Sequence, residues 1–176
     1  MKVIDILNNT DKPVFSFELV PPLKGGDINK IYEAIEPLIA LAPPFINITF
    51  HRDEVVYREY PDGTIKKVTV TKRPGSVALA AAIMRRYNVD MVPHIVCGGA
   101  TRHKIENELI DLNFLDIENV MALRGDPIPG ERFFTPEEGG HLYSCELVEQ
   151  ITRMNHGQYL DDTLTDTVPT NFCIGV

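Results

Sequence analysis

Met91-Val92-Pro93-His94-Ile95-Val96-Cys97 reads as a β-strand, and its flanking segments decide the fold. Upstream, Ser76 to Tyr87 carries a helical pattern. Downstream, Thr101 to about Leu115 carries another, and Asn119 to Gly125 reads as a further strand. The same alternation extends outward in both directions. Toward the N-terminus, Val14 to Val20 is β-prone and is stopped by Pro21-Pro22. Asp27 can then cap a helix whose apolar residues Ile28, Ile31, Tyr32, Ile35, Leu38 and Ile39 follow the i, i+3, i+4, i+7 rule. Pro37 is expected to kink or shorten that helix, and Phe45 to Phe50 forms the next strand. Toward the C-terminus, Ser144 to about Asn155 reads as a helix and Asn171 to Val176 as a fifth strand. Strands alternating with helices imply an α/β fold with parallel strands joined by right-handed crossovers.

One segment breaks the rhythm. Val55 to Tyr60 and Thr64 to Thr71 flank Pro61-Asp62-Gly63, a good hairpin turn. Residues 51–74 are therefore expected to be a β-hairpin inserted into a βα-loop. In a (β/α)8 TIM barrel such loops lie at the active-site end. Five strands do not close a barrel, which takes about 250 residues. The expectation is a single catalytic barrel domain over residues 1–176, truncated at its C-terminus, with about the first five strands present.

The 176-residue chain is large enough for a core, and its formal net charge of −8 comes without a basic run. That balance disfavours nucleic acid or an anionic membrane as partner. Cys97, Cys145 and Cys173 lack metal or disulfide spacing. No bound metal is expected from that spacing, and the lack of a signal core or a stretch of membrane-spanning length points to a cytoplasmic protein.

Strand alternation divides each strand into two faces. Ser16 and Glu18 oppose Phe15, Phe17 and Leu19; Asn47 and Thr49 oppose Ile46, Ile48 and Phe50. His94 opposes Pro93, Ile95 and Cys97, while Arg124 and Asp126 oppose Met121, Leu123 and Gly125. If the apolar sets cover helices, the polar sets face the barrel axis. Glu18, Thr49, His94, Arg124 and Asp126 would then converge on one mouth, where barrel enzymes assemble their sites. A half-buried Glu18 suits a general acid, because burial favours the protonated carboxyl. Several plainer readings stay open. Arg124 and Asp126 can pair with each other, Thr49 can serve packing, and His94 taken alone reads as a satisfied core histidine. His51, His103, His141 and His156 read as surface or loop residues, and Glu106, Glu108 and Asp111 as a solvated helix face.

Several of these segments also resemble a known family. Ser16-Phe17-Glu18-Leu19-Val20-Pro21-Pro22, Asn47-Ile48-Thr49, Pro93-His94-Ile95-Val96-Cys97, Ala122-Leu123-Arg124-Gly125-Asp126-Pro127 and Tyr143-Ser144 resemble, in order, motifs of the methylenetetrahydrofolate reductases. That resemblance implies an FAD-dependent oxidoreductase that reduces 5,10-methylenetetrahydrofolate to 5-methyltetrahydrofolate, with NADH or NADPH as donor. It further implies a homo-oligomer. Glu18 would be the general acid that opens the imidazolidine ring, and Asp126 would orient folate and tune the flavin. Thr49, His94, Arg124, Gly125, Asp126, Tyr143 and Ser144 would hold FAD. Leu19-Val20 departs from the aromatic pair often found after the glutamate, and the 51–74 hairpin is longer than in the simplest bacterial members. The competing readings are a pterin-binding barrel methyltransferase without flavin, and an inactive half-barrel.

Overall fold

A computed structural model describes residues 1–176. The elements in order are α1 (Val3–Asn8), β1 (Phe17–Leu19), α2 (Ile28–Ile39), β2 (Phe45–Ile48), β3 (Glu54–Glu59), β4 (Ile65–Val70), α3 (Ser76–Tyr87), β5 (Asp90–Val96), α4 (Arg102–Phe114), β6 (Asn119–Leu123), α5 (Ser144–Met154) and β7 (Cys173–Gly175). Five strands form one sheet in the order β1-β2-β5-β6-β7, and every pairing in it is parallel. The chain is thus α/β, as the alternation predicts. The expected hairpin is also present: β3 and β4 pair antiparallel from Glu54 opposite Val70 to Glu59 opposite Ile65. Its turn is closed by the Asp62 carboxylate, which accepts from the Thr64 amide and hydroxyl.

The helices end where local chemistry stops them. Asp27 caps α2 by accepting from the Asn29 amide, and Thr101 caps α4 by accepting from Lys104. Pro37 does not break α2; it lies in the last turn, where it removes the N–H that would donate to the Glu33 carbonyl, and the helix stops two residues later at Ile39. Asn88, at φ 51°, terminates α3 in the left-handed conformation.

The core lies between the sheet and α2–α5. Ile46 and Ile48 of β2, Met91 and Ile95 of β5, and Val120 and Ala122 of β6 are buried there against Ile35, Leu79, Ile83, Ile105, Leu109, Leu147 and Ile151. On β6 this reverses the expected facing. Val120 and Ala122 cover the helices, so Met121 and Leu123 belong to the opposite face, and the strand ends before Arg124. That opposite face carries Ser16, Phe45, Asn47, Val92, Asn119, Met121, Cys173 and Gly175, which line a hollow covered by Val3, Ile4 and Leu7 of α1. Helix α1, which the sequence pattern does not announce, is pinned there. The Val3 amide donates to Asn119 Oδ1 at 2.8 Å, and Asn119 Nδ2 donates to the Met1 carbonyl at 3.0 Å.

Three surface assignments fail. His141 is 3% exposed and bonds through Nε2 to the Gln150 amide oxygen. Glu106 is buried and accepts from the Leu160 amide at 2.7 Å, and Glu108 is half-buried, so only Asp111 of that trio is solvated. The glutamates meet residues distant in sequence, Leu160 for Glu106 and Ser76 for Glu108, whereas His141 is covered by the adjoining α5. His51, His103 and His156 are exposed as expected.

Candidate active site

Because all five strands run parallel, their C-terminal ends share one edge, and the candidate residues gather there in two groups. The first spans β1, β2 and β5. Register pairs Glu18 with Asn47 and Ile48 with Pro93, which sets Thr49 beside His94. The Glu18 carboxylate approaches His94 Nε2 to 3.8 Å, an ion-pair distance too long for a hydrogen bond. His94 is 6% exposed, and its Nε2 has no hydrogen-bond partner. It is therefore not the satisfied core histidine that the residue taken alone suggests. Burial holds its pKa below the ordinary histidine value, with the Glu18 charge opposing. Asn47 Oδ1 is likewise buried and unpartnered, while its amide nitrogen donates to Ser16 Oγ at 3.3 Å. The Thr49 hydroxyl donates to the Leu19 carbonyl at 3.3 Å and lies 3.4 Å from His51 Nδ1.

Glu18 departs from expectation. Its side chain is 58% exposed, so the half-buried setting inferred for it is absent in this chain. Beta1 has only three residues and no second neighbour on its outer edge, so nothing covers the carboxylate.

The second group follows β6 and opens α5. Arg124, Gly125, Asp126, Tyr143 and Ser144 line one open hollow with Leu123. Gly125 turns the chain out of the sheet at φ +85°, and a Cβ there would meet Val96 Cγ1 at 2.6 Å, so no other residue fits. Arg124 does not pair with Asp126. Its guanidinium lies over the Phe134 ring, 5.4 Å from the centroid, and its Nε donates to the Gly125 carbonyl at 3.3 Å. Tyr143 is exposed and precedes α5. Glu146 reaches back to accept from the Tyr143 and Leu142 amides at 3.0 and 2.7 Å, which holds the Glu146 carboxyl below the usual range. The Cys97 thiol sits beneath, 3.7 Å from the Tyr143 carbonyl, and burial pushes its pKa up to about 11, so it is inert as a nucleophile.

Backbone ladder bonds join the groups, Cys97 N–H to Leu123 O and Gly98 N–H to Arg124 O. Two residues that sequence reasoning passed over also belong here. Asn47 carries a signal in the strand alternation; Arg52 carries none, being a loop residue between a strand and a hairpin. No group of three or more His, Cys, Asp or Glu side chains is placed to hold a metal ion, and no helix is long and apolar enough to cross a membrane.

A parallel α/β sheet with polar side chains at its carboxyl edge defines, as a class, a protein whose functional site is at the strand ends. A sequence profile of the methylenetetrahydrofolate reductase family matches residues 2–171, and the chain belongs to that family. It is 28% identical over 167 residues to methylenetetrahydrofolate reductase (NADH) 1 of Arabidopsis thaliana, covering 93% of this chain and 25% of the plant protein. It is 24% identical over 138 residues to 5,10-methylenetetrahydrofolate reductase of Pectobacterium carotovorum, covering 77% of this chain and 38% of the bacterial protein. A probable methylenetetrahydrofolate reductase (NADPH) of Caenorhabditis elegans is 24% identical over 156 residues, covering 89% of this chain and 21% of the nematode protein. The chain thus spans between about a fifth and two fifths of these relatives.

Proposed function

We propose that this chain supplies the first five strands of a (β/α)8 barrel that reduces 5,10-methylenetetrahydrofolate to 5-methyltetrahydrofolate, with FAD as cofactor and NADH or NADPH as donor. The observation that carries the reading is His94 Nε2, a buried ring nitrogen without a hydrogen-bond partner that faces the Glu18 carboxylate at 3.8 Å. Buried polar groups without partners are costly, by about 1–3 kcal/mol each, and such groups at a strand-end mouth await a ligand. A flat heterocycle edged with donors and acceptors suits them, so the residues present fit a flavin. The unpaired outer edges of β1 and β7 are where further barrel strands would add.

In this reading Thr49, His94, Arg124, Gly125, Tyr143 and Ser144 hold FAD, whose bound ring supplies hydride chemistry. Arg124, already aligned by Phe134, offers the fixed charge that a phosphate or ribityl oxygen needs. Asp126 orients the folate. Glu18 donates a proton to the imidazolidine ring, and its exposure here is relieved once substrate and the remaining strands cover β1.

The test is the visible spectrum of the full-length protein that contains this chain, before and after anaerobic NADH or NADPH. A flavin band that bleaches and returns on adding methylenetetrahydrofolate supports the reading. A protein that stays colourless with added FAD overturns it in favour of a flavin-free pterin-binding barrel.

A further inference from the structure

We infer that Arg52 is a positioning residue that clamps the Arg124–Asp126 segment to the mouth. The inference rests on the proposed role of that segment, and it concerns how the segment is held rather than what it binds. Three observations converge on it. Gly125 directs the chain out of β6 at φ +85°, and Pro127 has no amide, so the sheet ladder ends at the Arg124 carbonyl, which accepts from Gly98 N–H at 3.2 Å. Beyond it, Arg52 Nη1 donates to the Asp126 carbonyl at 3.0 Å. Asp126 is therefore tied from the far side of the mouth, by a residue that follows β2.

The strand end after β5 is shaped to admit that arginine. A Cβ on Gly98 would lie 3.0 Å from Arg52 Nη1 and 3.3 Å from Phe134 Cε2, and a Cβ on Gly99 would lie 3.5 Å from Arg52 Cβ. The glycine pair forms a slot with Arg52 on one side and the Phe134 ring, which carries Arg124, on the other. The base of the inserted hairpin is anchored as well. The Arg73 guanidinium donates to the Pro21 carbonyl, and the Lys24 amide donates to the Lys72 carbonyl at 2.9 Å. The insertion thus braces the exits of β1 and β6 at once, with its N-terminal root on one and its C-terminal root on the other.

Stability and function separate here. The Asp126 carbonyl is near solvent, so losing Arg52 leaves no buried orphan and changes stability little. What is lost is position, to which a reacting centre is far more sensitive.

The experiment uses full-length Arg52→Ala, Arg52→Lys and Gly98→Ala proteins. Two readouts are taken: amide hydrogen exchange at Gly98, whose N–H donates to the Arg124 carbonyl, without ligand, and folate reduction set against flavin reduction by the nicotinamide. Arg52→Ala is expected to speed exchange at that amide and raise the KM for methylenetetrahydrofolate about tenfold, the scale of one charge-assisted bond. Its melting temperature and flavin reduction should stay near wild type. Arg52→Lys should restore part of the loss, and Gly98→Ala, which crowds the guanidinium, should reproduce it. Unchanged exchange and KM in Arg52→Ala overturn the inference. So does a loss of melting temperature that tracks the kinetics without rescue by lysine. A wild-type protein that reduces no folate would overturn the proposed function instead, and the exchange result would still decide the clamp.

Discussion

Glu18 and His94 face each other at 3.8 Å across β2, one from the short edge strand and one from the sheet's centre. One member is exposed and charged; the other is buried with an unpartnered Nε2. Burial lowers the His94 pKa and the Glu18 charge raises it, and burial is the larger of the two, so the net direction is down.

His94 should therefore titrate below the ordinary value of 6.5 in an NMR pH series. The folded state binds less proton than the unfolded state just below that pH, so this group's contribution to stability is lost as pH falls through the window. Glu18→Gln removes the opposing charge and should move the His94 midpoint lower still. An unchanged or higher midpoint would show that the two side chains do not sense each other.

The proposed proton donor makes a sharper demand on kinetics. Glu18→Gln in the full-length protein should leave flavin reduction by the nicotinamide intact and slow folate reduction by about 10²–10⁴-fold, the span of general acid catalysis. Stopped-flow traces of the two half-reactions decide it. Equal loss in both would make Glu18 a structural residue.

Glu108 offers a test of the fold apart from the site. Burial pushes its carboxyl from 4.5 up to about 6, with Lys104 pulling the other way. The native state then holds more proton than the unfolded state between those values, so this group favours folding at low pH and its contribution falls as pH rises through that window. Glu108→Gln should raise stability at pH 7 by on the order of 1–2 kcal/mol and add little at pH 4.5. Denaturant midpoints at the two pH values measure it; an equal gain at both would mean the carboxyl titrates normally.

The alternation of strand and helix was readable because each of β2, β5 and β6 packs one face on helices, and that face must be apolar. The hairpin was readable from Pro61-Asp62-Gly63 between two β-prone runs. Alternation failed at Arg124 and Asp126 because β6 ends at Leu123 and Gly125 turns the chain, so a period of two has no meaning there. The surface readings of Glu106 and His141 failed because their covers come from residues far along the chain or from an adjoining helix. Glu18 looked half-buried because an apolar strand surrounds it in sequence, although in space β1 is an edge. Helix α1 has too few residues to announce itself by periodicity.

That last element has a kinetic side. Six residues cannot sustain a helix alone in water, so α1 acquires its shape only from what it covers. Its anchor is Asn119, 116 positions further along from Val3. The α1 segment must wait until β6 has been synthesised before it can settle on its anchor. Closing a loop of that length is a slow, entropically costly event. The hollow beneath α1, with its apolar strand residues, stays open to solvent and to other chains for that whole interval.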